Sequence, residues 1–349
     1  MRLVSAKIQK TLRHSFAVIL LATCQTALSA DLVISNGKVQ QQANAVLALL
    51  GYSVVPDITA SSLAIDNSRT GNPDIRLSQL AGGFNLSDDF PLYLEGGIGL
   101  SRYDPVFIAS DGTEEREIPL KWNGVALTGG VGWDFPISSE LDFRPIANFS
   151  LGHVESDTSI IGRVVEQETG LPVSDFLDGG RLNAYGYGGS VMLDWERYLE
   201  DHEIDVELRY TWIRLESFDS SSSVEGRADV PTFNVWTRYR APTGATFLQR
   251  PLRYVLEYAF SSFEGDQAGV LGFDHLNSIG FGFEVDSEAY DVVVTRTRLV
   301  GRYRFGNNVS GFGIGLAVSF LMIKSSTTPP RYGCCEFIVV LANSLGTRV

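Results

Sequence analysis

Large apolar or aromatic residues alternate with small or polar residues through most of the chain between Gly51 and Phe320. The clearest case comes last, where Phe312, Ile314 and Leu316 alternate with glycines and with Ala317. Because successive side chains of a strand point to opposite faces, a period of two gives each strand one continuous apolar face. Clusters of Gly, Pro, Asp and Ser interrupt the pattern as turns do. The sequence therefore predicts an all-β fold of about twelve antiparallel strands.

The minor face of these strands distinguishes a soluble sandwich from a membrane barrel. Gly, Ser and charged residues occupy it, and such residues cannot form the dry core of a sandwich. They suit a polar lumen surrounded by lipid-facing aromatics, and an even strand number is usual for single-chain bacterial barrels. We therefore expect a transmembrane β-barrel at residues 51–320 in the bacterial outer membrane, with a soluble all-β protein as the alternative. The predicted strand centres are Thr59, Gly82, Gly96, Val125, Ala147, Gly189, Leu208, Val235, Leu256, Phe281, Leu299 and Leu316.

The predicted connections alternate in length, and this alternation predicts which end of the barrel faces the periplasm. Outer-membrane barrels have short periplasmic turns and longer extracellular loops. With an even strand count, both chain ends are then expected in the periplasm. The long connections run from Arg102 to Ile118, Val154 to Arg181, Ser217 to Asp229 and Phe263 to His275, and the short ones are Ser87 to Asp89, Phe135 to Glu140, Glu196 to His202 and Asp286 to Asp291.

Residues 31–50 form a separate segment before the barrel. Apolar residues recur at helical spacing between Gly37 and Leu50, and Gly51 is the predicted stop. The remaining surface of this helix is polar, with three consecutive glutamines at 40–42. Its backbone bonds are satisfied internally, so the helix is able to occupy a charged lumen. We expect the helix to plug the lumen, so that the intact protein conducts poorly, with an open channel as the alternative.

Residues 1–30 have the anatomy of a secretory signal peptide. A basic start, an apolar run from Phe16 to Ala22 and an Ala-x-Ala-like site predict Sec-dependent export and cleavage after Ala30. Lipoprotein processing at Cys24 is the alternative, but Thr23 fits that pattern poorly. The remaining cysteines, Cys334 and Cys335, leave the predicted barrel without a disulfide or a Cys-based metal site.

Composition excludes further classes of protein. The net charge of −13 argues against nucleic acid as a partner, because phosphate binding requires a basic face. Beyond the amino terminus, no segment approaches the roughly 20 apolar residues of a helical membrane span. Glycines such as those at 311, 313 and 315 recur at period two within strands, whereas a phosphate cradle needs a turn that opens a helix. We expect no cofactor, no metal and no oligomeric partner.

The chain resembles the autotransporter β-domain from Asp31 to Phe320. The resemblance rests on a helix before the barrel, twelve strands and the terminal pattern from Gly315 to Phe320, which looks like the signal read by the barrel-assembly machinery. It implies that Gly315, Val318 and Phe320 carry this assembly signal, and that the partners are this machinery, the export system and outer-membrane lipid. Only about twenty residues precede the barrel, as in solitary autotransporter-like barrels that have no passenger.

Residues 321–349 continue beyond the expected end of the barrel. A Ser, Thr and Pro cluster at 325–330 breaks the structure, and the apolar run from Phe337 to Leu341 is too short to span as a helix. We expect an extension without a function, with a periplasmic tether or redox handle through Cys334 and Cys335 as the alternative.

Charged residues of inward parity form a predicted lumen charge ladder. They are expected to form ion pairs that fill the lumen, and a ladder selecting anions is the alternative. A twelve-stranded barrel lies between the filled eight-stranded and the open sixteen-stranded types. The ladder comprises Arg238, Arg240, Arg253, Glu257, Glu284, Arg296, Arg298, Arg302 and Arg304, with further inward carboxylates at Glu95, Asp134, Asp142, Asp194, Asp205 and Glu207.

Few residues of the mature chain are candidates for catalysis. His153 has Glu155 and Asp157 nearby, and His275 follows Asp274, so these two histidines are the candidates for activating water at the outer rim. Ser150 and His153 do not form an arrangement like that of the outer-membrane phospholipases. We therefore assign no catalytic residue and expect a non-enzymatic outer-membrane barrel. The alternatives are a small gated channel or porin and a rim-active hydrolase.

Overall fold

A computed structural model defines the backbone of most of the predicted barrel. It describes residues 46–47, 50–55, 64–65, 74–87, 90–104, 106–110, 115–119, 121–157, 181–219, 226–287, 294–307, 309–320 and 335–341. Ala30, the predicted signal cleavage site, and Thr59, the first predicted strand centre, lie outside these ranges.

Twelve of the described strands, named here β1 to β12, form one antiparallel sheet. The first six are β1 (Asp74–Asn85), β2 (Leu92–Asp104), β3 (Trp122–Trp133), β4 (Leu141–Ser156), β5 (Arg181–Tyr198) and β6 (Glu203–Phe218). The other six are β7 (Thr232–Phe247), β8 (Arg250–Phe263), β9 (His275–Asp286), β10 (Val294–Gly306), β11 (Val309–Phe320) and β12 (Cys335–Leu341). Shorter elements are Ala64–Ile65, Phe135–Pro136 and Arg227–Asp229, which add to this sheet, and a 3₁₀ helix at Gly265–Gln267.

The sheet closes on itself. Each strand pairs with the next along the chain, and β12 returns to pair with β1 from Glu336 opposite Gly83 to Val339 opposite Leu80. Closure satisfies backbone hydrogen bonds within the sheet and removes its edges, as a sheet in lipid requires. The twelve-stranded antiparallel barrel predicted from the sequence is therefore confirmed.

The closing seam differs from the prediction, which ended the barrel at Phe320. Seven positions of β11 pair with β12, from Ile314 opposite Leu341 to Phe320 opposite Cys335. The free edge of β1 is shared between β12 and the two-residue strand Ala64–Ile65, since β2 pairs along the other edge. Part of the supposed extension thus completes the barrel. The continuous apolar run at 337–341 has no alternation, so period two could not reveal it as a strand.

The two ends of the barrel differ in their connections. One end, called the long-loop end, has the connections 105–121, 157–180, 219–231 and 264–274, together with the short connection 307–308. The opposite end, called the short-turn end, has the connections 86–91, 134–140, 199–202, 248–249 and 287–293, together with the longer connection 321–334. The described chain enters β1 and leaves β12 at the long-loop end, whereas the prediction began and ended the barrel at the short-turn end. That prediction counted from a strand near Thr59 and ended at β11. The two chain ends lie outside the described residues, so their location stays a prediction.

Outward and inward faces of the barrel have opposite polarity. Phe312, Leu299 and Phe281 point outward and are 59%, 56% and 54% exposed, whereas inward Arg302 and Glu284 are buried. Apolar side chains outside and charged ones inside are the pattern of a bacterial outer-membrane barrel. The chain is therefore a transmembrane β-barrel of the bacterial outer membrane. Among the described residues, no helix has both the length and the apolar character needed to cross a membrane.

The chain forms two compact units. One, Asn36–Val106 with Pro119–Val349, holds the barrel and the helical residues 46–47 and 50–54. The described part of the other is a two-stranded sheet, to which Val106–Ser110 and Glu115–Pro119 contribute. The helix passes the predicted stop at Gly51 and continues to Val54. Tertiary contacts of the residues that follow Gly51 outweigh the weak helix propensity of glycine.

Candidate functional site in the barrel lumen

The predicted lumen charge ladder lies inside the barrel. Alternation along each strand places these side chains on the face opposite the lipid-facing residues, and each is at most 6% exposed. Charges buried to this extent require partners, because an isolated buried ion is strongly destabilising. The members are Arg238, Arg240, Arg253, Glu257, Glu284, Arg296, Arg298, Arg302 and Arg304.

Two carboxylates of β6 gather four of these arginines near the short-turn end. Asp205 accepts hydrogen bonds from Arg238 Nε at 2.6 Å and from Arg240 Nη2 at 2.9 Å. Glu203 pairs with Arg240 at 2.9 Å, Arg253 at 2.8 Å and Arg296 at 3.1 Å. Since β6 and β10 are four strands apart, the pair of Glu203 and Arg296 bridges the lumen.

Two further carboxylates, one on β8 and one on β9, pair with other arginines of the ladder. Glu284 accepts a hydrogen bond from Arg298 Nε at 3.0 Å, and Glu257 accepts one from Arg302 Nε at 2.8 Å. The Arg302 guanidinium lies directly over Gly315 of β11, so that a Cβ at this position would collide with it. Gly315 thus has a packing role, in addition to the role in assembly that the resemblance implies.

A second ion-pair group on the other side of the lumen involves arginines that were not predicted. Arg209 donates to Glu95 through two nitrogens, at 2.7 and 2.8 Å, and Glu95 also accepts a bond from Asn148 Nδ2 at 2.7 Å. Arg144 pairs with Asp134 and, at 3.2 Å, with Asp194. Alternation along β6 puts Arg209 on the same face as Asp205, but no sequence signal identifies a partner four strands away.

The two sides of the lumen differ in charge. Arginines dominate β7 to β10, whereas carboxylates dominate β2 to β6. The first group contains Arg238, Arg240, Arg253, Arg296, Arg298, Arg302 and Arg304 against Glu257, Glu284 and Asp286, and the second contains Arg144 and Arg209 against Glu95, Asp142, Asp194, Glu196, Glu203, Asp205 and Glu207. Such an arrangement sets an electric field across the lumen, which acts on any charged solute that enters it.

The described residues of the N-terminal helix pack inside the barrel toward the long-loop end. Val46, Leu47 and Leu50 are at most 1% exposed. They belong to one apolar cluster with inward side chains from strands on opposite sides of the ring, including Leu77 of β1 and Ile213 of β6. Leu50 fits against Gly152 of β4, where a Cβ would overlap its side chain. The described helix therefore sits in the lumen, and residues preceding β1 form the apolar core there.

Polar contacts fix the end of this helix. Gln79 of β1 donates through Nε2 to the carbonyl oxygens of Tyr52, Ser53 and Val55, at 3.0, 3.2 and 3.1 Å. Helix termini leave carbonyl groups without intrahelical partners, and these three are satisfied by the barrel wall. The Tyr52 ring also packs against Phe263, with centroids 4.4 Å apart.

The remaining sequence-predicted residues lie in the wall or at its rim. Val318 and Phe320 of β11 pair with Phe337 and Cys335 of β12, so the proposed assembly signal is in the penultimate strand of the described barrel. His153 Nδ1 lies 2.7 Å from Asn183 Oδ1. Among the residues described, no group of three or more His, Cys, Asp or Glu side chains is arranged to hold a metal ion.

Comparisons with known proteins found distant structural neighbours. No protein-family model matches the chain, and no curated protein matches it. The toluene transporter TodX of Pseudomonas putida is 8% identical over 79% of this chain and 88% of its own, with a TM-score of 0.31. CdiB from Acinetobacter baumannii is 10% identical over 80% of this chain and 58% of its own, with a TM-score of 0.33. The NanC porin is 12% identical over 70% and 99% of the two chains, with a TM-score of 0.30. Identities and TM-scores this low transfer no ligand or activity to this chain.

Proposed function

We propose that this protein is a self-occluded outer-membrane channel, in which the N-terminal helix holds the lumen closed and ions pass when it is displaced. The observation that carries the proposal is the position of Leu47 and Leu50, which are fully buried among inward side chains from opposite sides of the ring. This helix is connected to the barrel through the chain before β1 and is not one of its strands. It can therefore leave the lumen without breaking the strand pairings of the wall.

The size of the apolar contact makes the closed state the resting state. Complete burial of a Val, Leu or similar side chain contributes roughly 1.5–3 kcal/mol. Val46, Leu47, Leu50, Tyr52 and Val54 are all at most 1% exposed, so together they hold the helix by about 8–15 kcal/mol before ordering costs are subtracted. A population shift from 1:99 to 99:1 needs about 5.5 kcal/mol. Spontaneous opening is then rare, and a ligand, a partner or an applied force is needed.

The open state is expected to prefer anions. Seven inward arginines face three carboxylates on β7 to β10, and their long side chains can reorient once water enters. Arg302 Nη1 and Arg253 Nε have no hydrogen-bond partner among the described residues. Rings and stripes of arginine favour anion passage in pores.

A reversible covalent lock tests the role of the helix. A Cβ placed on Gly51 would lie 3.2 Å from Cβ of Val230, close to the separation that a disulfide requires. The protein would carry Gly51→Cys and Val230→Cys, with Cys334→Ser and Cys335→Ser to remove competing thiols. Oxidation should abolish the residual openings in planar bilayers, and a reductant should restore them. The Gly51→Cys variant with the same two serine changes is the control.

Equal opening frequencies in the oxidised and reduced states, with the disulfide verified by mass spectrometry, would show that the helix does not gate the pore. Heat-dependent gel migration would establish that both preparations contain folded barrel.

A translocator of the autotransporter type is the second candidate. The observation that favours it is that the described helix residues before β1 lie inside the barrel, where a passenger would have to pass. An epitope placed between Ala30 and Asp31 tests it. Antibody binding to intact cells would support translocation of the N-terminus, and binding only after permeabilisation would exclude it.

A further inference from the structure

A serine and a histidine face each other on the outer wall at the long-loop end. Ser262 of β8 is directly opposite His275 of β9 in the sheet register. Phe263 N donates to Asp274 O at 2.7 Å, so the neighbouring pair 263 and 274 is the hydrogen-bonded one. The pair of Ser262 and His275 is then of the non-hydrogen-bonded type, in which opposite side chains come closest.

An acidic residue orients the histidine. His275 Nδ1 lies 2.6 Å from Asp274 Oδ1, and Asn307 Nδ2 donates to the same oxygen at 3.1 Å. This leaves Nε2 as the free ring nitrogen, which is the atom that acts as general base in Ser-His-Asp hydrolases. The His275 side chain is 34% exposed, so a substrate can reach it.

An amide on the same face is suited to stabilising an oxyanion. Asn277 is two residues along β9 from His275, and its Oδ1 accepts a hydrogen bond from Tyr258 Oη at 3.1 Å. That bond leaves the Asn277 Nδ2 protons available as donors. Side-chain amides of Asn serve as oxyanion donors in acyl transfer.

The surroundings indicate the class of substrate. Phe260, Ser262, Asp274 and His275 line a pocket of about 540 Å³. Toward the membrane centre the outward residues of the same strands are apolar, including Ile279 at 54% exposed. The pocket thus lies at the outer border of the lipid-facing band, which is the level at which the acyl esters of outer-leaflet lipids are found.

We propose that Ser262, His275 and Asp274 form an esterase site that hydrolyses acyl esters of outer-leaflet lipids. Ser262 Oγ attacks the acyl carbonyl carbon while His275 Nε2 takes its proton, and Asn277 Nδ2 binds the oxyanion. The ester C–O bond breaks, His275 protonates the leaving alcohol, and Ser262 carries the acyl group. Water, deprotonated by His275, then releases the fatty acid and regenerates the Ser262 hydroxyl. Asp274 acts as a positioning residue through His275.

Lipid hydrolysis and covalent labelling together test this site. Full-length protein in detergent micelles would be given phosphatidylethanolamine with a fluorescent acyl chain and, separately, lipid A, which distinguishes the two sources of acyl ester. We expect release of fatty acid from at least one, a drop of at least 10³-fold in Ser262→Ala and His275→Ala, and a drop of about 10²- to 10³-fold in Asn277→Ala. Asp274→Asn should lower kcat and leave KM unchanged.

Matched variants separate chemistry from folding. Ser310→Ala and His153→Ala change rim residues outside the pocket and should keep full activity. A fluorophosphonate probe should label Ser262, as located by peptide mass spectrometry, and this reaction does not depend on the choice of lipid. Absence of both hydrolysis and labelling in folded wild-type protein would overturn the proposal, as would equal activity in wild type and Ser262→Ala.

Discussion

Arg209 on β6 reaches across the lumen to Glu95 on β2 and binds both oxygens of its carboxylate, at 2.7 and 2.8 Å. The two strands are separated by β3, β4 and β5 in the ring, so this pair joins parts of the wall that share no backbone hydrogen bond. Bidentate pairing of this kind fixes geometry as well as charge. The barrel wall is therefore braced from within.

Removal of one partner of this brace should be costly. Glu95→Gln leaves the Arg209 guanidinium buried without its counter-charge, and breaking a buried pair in this way lowers the free energy of unfolding by about 3–5 kcal/mol. The double variant Glu95→Gln with Arg209→Met should recover much of that loss. Urea unfolding in lipid, followed by tryptophan fluorescence, measures the free energy.

The control for this prediction is the exposed pair of Glu140 and Arg197, whose side chains approach within 3.8 Å. Glu140→Gln should change the free energy of unfolding by about 1 kcal/mol or less. If both substitutions have the same small effect, the lumen pair does not brace the barrel.

Lipid exposure of the wall predicts a depth-dependent penalty. Leu299, near the middle of β10, is 56% exposed on the outer face. Leu299→Arg should therefore destabilise the barrel by about 2–4 kcal/mol. Leu248, at the turn between β7 and β8, is 78% exposed, and Leu248→Arg should cost about 0–1 kcal/mol because it lies at the interface. If Leu299→Arg and Leu248→Arg destabilise the barrel equally in vesicle-refolding titrations, the assignment of the outward face to lipid is contradicted.

The Gln79 amide should control how often the helix leaves the lumen. Gln79→Leu removes the donor for three carbonyl groups, and unsatisfied buried groups cost about 1–3 kcal/mol. At 1.4 kcal/mol per tenfold, opening frequency should rise about 5- to 150-fold. Single-channel recording measures this frequency, and Ser78→Ala on the outward face of the same strand is the control. If Gln79→Leu and the wild type give identical recordings, Gln79 does not control how often the channel opens.

Sequence periodicity predicts the wall because burial in a barrel repeats every second residue. Eleven of the twelve predicted strand centres fall within described strands, from Gly82 in β1 to Leu316 in β11. The twelfth strand of the ring was missed. It is a uniform apolar run that pairs on both edges, and pairing partners are not encoded in the local pattern of one strand.

Residues that meet only through the register were also not predictable. Parity places a charge in the lumen, but it does not show that Arg209 meets Glu95 or that Arg296 meets Glu203, since these contacts depend on the closure of the ring. Ser262 and His275 are separated by the 3₁₀ turn, and the sequence alone did not connect them. The helix was predicted from its spacing, while its continuation beyond Gly51 depends on contacts with the wall.

Planar-bilayer conductance tests the central claim most directly. Intact mature protein should conduct rarely and weakly, because apolar residues of the helix pack against inward wall residues at the long-loop end of the lumen. Deletion of residues 46–55, or Leu50→Asp where the deletion prevents folding, should raise the conductance and shift the reversal potential in a salt gradient toward anion preference. Large steady conductance from the intact protein, or unchanged conductance in both folded variants, would contradict the account.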